Sequence, residues 1–257
     1  MRIPALEVVG LAGGYGDTQV LRGVELAVQP GTVTALLGAN GAGKTTLLKT
    51  IAGTLRPHAG SVSVGGVDVT AQKAHTRARA GVCMIPEGRG IFPNLTVAEN
   101  LRMATPPWRK GEPYDPALEA FPALAERLHQ RAGSMSGGQQ QMLALSRCFL
   151  SQPDVVLLDE VSMGLAPKVI DEIFESLRQL AERGVALLVV EQYVHRALEM
   201  ADFVHLMSRG SIGFSGTPDQ IDEEQLQREY LGESDSTETT NQTSAVSGQQ
   251  SKVSDEQ

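Results

Sequence analysis

A run near the start of the chain, Gly38-Ala-Asn-Gly-Ala-Gly-Lys-Thr-Thr46, has the make-up of a phosphate-binding loop. Gly38, Gly43, Lys44 and Thr45 fit the spacing G-x4-G-K-[ST]. Small residues let successive backbone N–H groups turn toward phosphate oxygens, and a helix that follows adds the positive end of its dipole. Lys44 is expected to reach the β and γ phosphates. The Thr45 hydroxyl is expected to serve Mg²⁺, a cation that keeps several waters and takes few protein ligands. Asn40, Gly41 and Thr46 complete the expected nucleotide contacts of this loop. Further on, Val155-Val-Leu-Leu-Asp159-Glu160 is an apolar run that ends in two carboxylates. A buried strand would deliver them at its C-terminal end, where open α/β sheets bind ligands. Asp159 is then expected to hold Mg²⁺ through water, and Glu160 to polarise an attacking water. Between these two motifs lies Ser136-Gly-Gly-Gln-Gln-Gln141. A serine hydroxyl and two glycine amides at a helix N-terminus would suit a second anion site there, expected at Ser136, Gly137, Gly138 and Gln139.

The elements that must position these groups alternate in type. Val24, Leu26 and Val28 alternate with polar or small residues, a half-buried strand pattern. Ser61–Val64 and Val67–Val69 flank Gly65-Gly66 and predict a hairpin. Val33–Leu37 predicts a buried strand, and Lys44–Thr54 a helix that stops near Gly53 and Pro57. Prolines at 93, 106, 107, 113, 116 and 122 mark a change of character over 93 to 133, read as an inserted helical lobe. With the helix that follows, predicted from about Gln139 to Leu150, this lobe spans about 93–150. The core resumes as strand Val155–Asp159, helix Val169–Arg183 and strand Val185–Val190. Val169, Ile170, Ile173, Phe174, Leu177 and Leu180 recur at helical spacing, and Gly184 is placed to end that helix. Wholly apolar strands alternating with helices predict a parallel sheet covered on both faces.

Composition excludes some classes. The formal net charge is −8, against broad nucleic-acid binding, which needs clustered positive charge. Residues 233–257 hold five acids and one lysine, with no aromatic residue, Leu or Ile, and are expected to be a disordered acidic tail. The two cysteines, Cys83 and Cys148, lack the spacing of a zinc or redox motif, and a reduced, intracellular protein is expected. No apolar run approaches the roughly 18 residues of a spanning helix.

With these motifs together, residues 5 to 232 resemble the ATPase subunits of ABC transporters, the Ser136–Gln141 run matching that family's signature sequence. The resemblance implies an α/β fold: a P-loop ATPase core, an N-terminal antiparallel β subdomain and a helical insert subdomain, within a domain at 1–232. It implies a dimer in which each signature faces the nucleotide of the opposite subunit. Tyr15 lies where the family stacks an aromatic on adenine, and Ser162-Met-Gly-Leu-Ala166 matches the loop that crosses the dimer interface.

Three positions depart from the usual family pattern. Glu87 stands for Gln between the lobes, Gln192 for the switch His, and Ala166 for Asp. Val161 also replaces the Pro common after the catalytic Glu. With Phe121-Pro122, Gln130-x-Ala132-Gly133, Gln140-Gln-Met142 and Gly164-Leu-Ala-Pro167, these resemble the F-type ATPases of branched-chain amino acid importers. Urea and short-chain amide importers use similar subunits, but the urea type carries Gln at the position of Glu87. The resemblance implies ATP and Mg²⁺ as cofactors and Glu160 and Gln192 as catalytic residues. It implies a related, non-identical ATPase partner, permease subunits docked near Glu87 to Asn100, and an extracytoplasmic solute-binding protein. The place implied is the cytoplasmic face of the membrane. A soluble ABC ATPase of translation or DNA repair is the rival class; those carry two cassettes or a long coiled coil. Gln192 can donate a hydrogen bond but carries no charge, a loss on the order of 1 kcal/mol, so a slower site is expected.

Overall fold

The computed structural model describes residues 3–191 and 193–221. The chain begins with strands β1 (Leu6–Tyr15), β2 (Thr18–Val28) and β3 (Val33–Leu37), then helix α1 (Lys44–Ile51). Next come β4 (Pro57–Val64), β5 (Val67–Asp68), α2 (Ala74–Arg79) and β6 (Val82–Ile85). Four helices follow: α3 (Val97–Ala104), α4 (Asp115–Ala120), α5 (Pro122–Ala125) and α6 (Gly137–Ser151). The described chain ends with β7 (Val155–Asp159), α7 (Pro167–Glu182), β8 (Ala186–Val190), α8 (Val194–Met200), β9 (Phe203–Ser208) and β10 (Ser211–Gly216).

Two sheets form. One is antiparallel, in the order β2-β1-β4-β5, and contains the predicted hairpin, with Val64 opposite Val67. The other runs β10-β9-β3-β8-β7-β6. In it β9, β3, β8, β7 and β6 are parallel, and only β10 is antiparallel. Every residue of β3, β7 and β8 is buried, which is why their sequences read as unbroken apolar runs. Because the strands are parallel, their C-terminal ends share one edge. Gly38, Pro86, Glu160 and Glu191 therefore all follow strands that end there.

Element ends differ from the periodicity by a few residues, for identifiable reasons. Helix α6 starts at Gly137, because Ser136 caps it and the two glycines form its first turn. Helix α7 starts at Pro167, whose fixed φ and missing N–H suit a first helical position. Gly184 follows the α7 C-cap with φ +94°, and its N–H donates to Ala181 O at 2.8 Å. Between α3 and α6 the chain packs through Leu101, Ala117, Phe121 and Leu124 onto Leu145 and Phe149, with Phe121 edge-on to Phe149. Asn100 fixes the loop before α3: its amide donates to Phe92 O and Thr96 O and accepts from Phe92 N–H. Gln192, and the tail predicted over 233–257, lie outside the described residues.

Candidate functional site

The loop after β3 is shaped by its glycines. A Cβ on Gly38 would lie 2.1 Å from Met207 O, so no other residue fits against β9. Gly43 has φ +110° at the start of α1 and is closed in by Met207 and Val20. Lys44 turns back into the loop. Its ammonium donates to Gly38 O at 2.7 Å and Ala39 O at 3.0 Å. Burial lowers the Lys44 pKa, while Glu160 and Asp159 oppose that shift. The Thr45 hydroxyl donates to Asp159 Oδ1 at 3.1 Å.

Asp159 is 1% exposed, and its Oδ2 has no hydrogen-bond partner among the described residues. Burial raises its pKa; the Thr45 hydrogen bond opposes this, and Glu160 and Glu87 add to it. A buried carboxylate oxygen without a partner, beside a threonine hydroxyl, is a donor set suited to a hard divalent cation.

Glu160 sits at φ +49°, a left-handed conformation that non-glycine residues seldom adopt. Its N–H donates to Val190 O at 2.9 Å, which holds the turn after β7 against the end of β8. Sparsely populated backbone of this kind persists where the surroundings over-determine it. A cavity of about 540 Å³ opens at this edge, lined by Asn40, Gly41, Gly43, Lys44, Thr45, Thr46, Glu87 and Glu160, with Val20 and Met163. The fold thus gathers most of the predicted loop and carboxylate residues. Among the lining groups and Asp159 beneath them, three carboxylates stand against one lysine.

Other expected residues lie elsewhere. Tyr15 ends β1 about half exposed and does not line the cavity. Ser136–Gln139 is also outside it. There the Ser136 Oγ accepts from Gln139 N–H at 3.3 Å, and the Gln139 side chain accepts from Ser136 N–H at 3.1 Å, a reciprocal cap. A Cβ on Gly138 would lie 2.6 Å from Val169 Cγ1, so the glycine lets α6 approach α7.

Two residues emerge that sequence reading passed over. Glu191, 1% exposed, accepts from Ser162 N–H at 3.2 Å and from Ser162 Oγ at 2.5 Å. It ties the loop after β7 to the end of β8; a charged residue directly after an all-apolar strand was the available signal. Arg89 donates to Gln140 Oε1 at 2.5 Å and so joins the Glu87 loop to α6. Val161 is 2% exposed in the core, which explains why an apolar residue serves there.

Residues 21–163 match the family model described as ABC transporter. The chain belongs to the ABC transporter ATP-binding family. This ABC ATPase is 44% identical over 201 residues to the high-affinity branched-chain amino acid transport ATP-binding protein BraG of Pseudomonas aeruginosa, covering 77% of this chain and 86% of that one. It is 37% identical over 220 residues to the probable branched-chain amino acid transport ATP-binding protein LivF of Archaeoglobus fulgidus, covering 84% and 93%. Among solved structures, the ATP-binding subunit of an ABC transporter superposes with a TM-score of 0.75 at 30% identity, covering 89% of this chain and 97% of that one. The ABC ATPase therefore binds and hydrolyses ATP as a transporter subunit. No helix among the described residues is long and apolar enough to cross a membrane.

Proposed function

We propose that this ABC ATPase energises an importer of branched-chain amino acids by closing, with a related partner ATPase, around two Mg²⁺-ATP molecules. The observation that carries this is the half-built site: the loop, Asp159 and Glu160 meet at one sheet edge, while Ser136–Gln139 line no part of the cavity there. The likeness to BraG and LivF supports the solute class. Urea or short-chain amide import is the alternative, separated by measuring which solute fails to enter cells that carry an inactive form of this subunit.

Lys44, the loop amides and the α1 dipole would hold the triphosphate. Thr45 and Asp159 would hold Mg²⁺, which supplies charge neutralisation that a site with three carboxylates otherwise lacks. Glu160 accepts a proton from water and so aligns it on the γ phosphorus. Tyr15, about half exposed at the end of β1, would offer its ring to adenine. Ser136, Gly137, Gly138 and Gln139 would complete the partner's site, and Gln192 would donate to the γ phosphate of its own. Glu87, which lines the cavity, would disfavour phosphate without the cation.

Beside this site a second cavity of about 670 Å³ is lined mainly by apolar residues, among them Pro86, Phe92, Met103 and Trp108. Phe92, Met103 and Trp108 are about half exposed or more. That surface suits a helix end of permease subunits, which supports a position at the cytoplasmic face of the membrane. An extracytoplasmic binding protein would supply the solute. Replacing Ser136 by Arg tests the half-site. Mg²⁺-ATP affinity of the chain should be retained, while hydrolysis with the partner falls at least about tenfold. Unchanged hydrolysis would mean that each chain is catalytically complete.

A further inference from the structure

Cys83 and Cys148 are 65 positions apart, yet the fold brings their Sγ atoms to 3.9 Å. Both thiols are free and buried. Cys83 lies in β6 and Cys148 near the end of α6. Cys83 is not sealed off. It lines the 670 Å³ cavity with Met84, Arg147 and Ser151, so a small solute reaches its edge. Cys148, with no exposure, sits behind it. A bond between the sulfurs needs them to close from 3.9 Å to about 2.05 Å, a movement on the scale of side-chain rotation.

The two elements matter to the site at opposite ends. Strand β6 leads directly to Glu87, which lines the nucleotide cavity. Helix α6 begins at the Ser136 cap. Only reversible contacts join them at present, among them Arg89 to Gln140 and Arg147 Nη2 to Gly90 O at 3.0 Å. A covalent tie would fix the signature helix relative to the Glu87 strand.

We propose that Cys83 and Cys148 form a reversible, peroxide-responsive dithiol switch whose disulfide fastens α6 to β6. Cys83 is the attacking sulfur. The hydrogen bond with Cys148 holds its thiol below the ordinary value despite burial, and the Arg147 charge helps. Ser151 Oγ, buried and outside regular hydrogen-bond geometry with any described group, lies near enough to favour the same thiolate. The same pairing and burial push the Cys148 thiol up. The Cys83 thiolate attacks one oxygen of hydrogen peroxide. An S–O bond forms, the O–O bond breaks, and the departing hydroxide takes a proton to become water. The Cys148 sulfur then attacks the sulfenic sulfur; the S–O bond breaks and the oxygen leaves as a second water with the Cys148 proton. Two thiols and one peroxide give one disulfide and two waters.

The test is to treat the reduced, full-length ABC ATPase with hydrogen peroxide and map its peptides without reduction. The peptides bearing Cys83 and Cys148 should appear as one linked species, both thiols vanishing together. ATPase activity should fall at least about fivefold and return with dithiothreitol. Cys83→Ser and Cys148→Ala should each hydrolyse ATP normally and resist peroxide. Persistence of both thiols, over-oxidation of Cys83 alone, linkage between chains, or a complete internal linkage with unchanged activity would each overturn the proposal. The peptide map does not depend on ATP turnover, so failure here is distinguishable from failure of the transport reading.

Discussion

Asp159 shows at the scale of one residue how a site can be built for a group that arrives later. Its carboxylate is buried at the end of β7 with one oxygen on Thr45 and the other without a partner. Burial raises its native pKa above the ordinary carboxylate value of 3.8. The native state therefore binds this proton more tightly than the unfolded state does. The contribution of Asp159 to stability falls as pH rises from the unfolded value through the raised native one. Without nucleotide, Asp159→Asn should melt higher than the wild type at neutral pH and should lose the extra stabilisation that Mg²⁺ gives over ATP alone. Thermal melts with and without Mg²⁺-ATP check this; a lower melting point for the variant would mean that the carboxylate is structurally required. Asp159, Glu160 and the loop residues were legible in the sequence because a nucleotide phosphate dictates both residue type and spacing. Glu191 was not, because its role is set by Ser162 across the sheet edge, and no local pattern reports such a contact.

Among the elements, α7 has the clearest weakness. Its N-cap is Ala166, which has no side chain to accept from the first-turn amides, although Pro167 follows it favourably. An Asp at that position would accept from them and complement the positive N-terminal end of the helix dipole. Ala166→Asp should stabilise the isolated subunit by about 1 kcal/mol, a rise of roughly 2–4 °C in a melt of this size of chain. No gain would show that the cap amides are already satisfied. The interiors of the core elements were readable because they follow simple periods: unbroken apolar runs for β3, β7 and β8, and three- and four-residue spacing for α7. Their ends were less readable, since Gly137 and Gly138 look like a loop until Ser136 caps them. The Cys83–Cys148 contact was invisible for a related reason: it depends on α6 packing on β6 across a long separation in sequence.

For the whole molecule, the parallel sheet decides where function lies, since four strand ends bring separate motifs to one edge. The same sheet buries His205 on β9, 3% exposed, with Nδ1 at 2.7 Å from Ser215 Oγ and Nε2 without a partner among the described residues. Burial lowers its pKa to about 4 from 6.5. The unfolded chain therefore takes up this proton first, so the stability contribution is full above pH 6.5 and is lost as pH falls toward 4. The loss amounts to about 3 kcal/mol. His205→Gln should flatten the melting-temperature profile across that window, and an unchanged slope would assign acid sensitivity to other groups. Transport by this subunit depends on hydrolysis, and Glu160 is the residue to change. Cells whose only copy of this subunit carries Glu160→Gln, at normal protein level, should lose ATP-driven uptake of labelled leucine, isoleucine and valine at least about a hundredfold, as for removal of a general base. Uptake of labelled urea should be unaffected. Retained amino acid uptake, or loss of urea uptake instead, would mean that this subunit does not energise branched-chain amino acid import through Glu160.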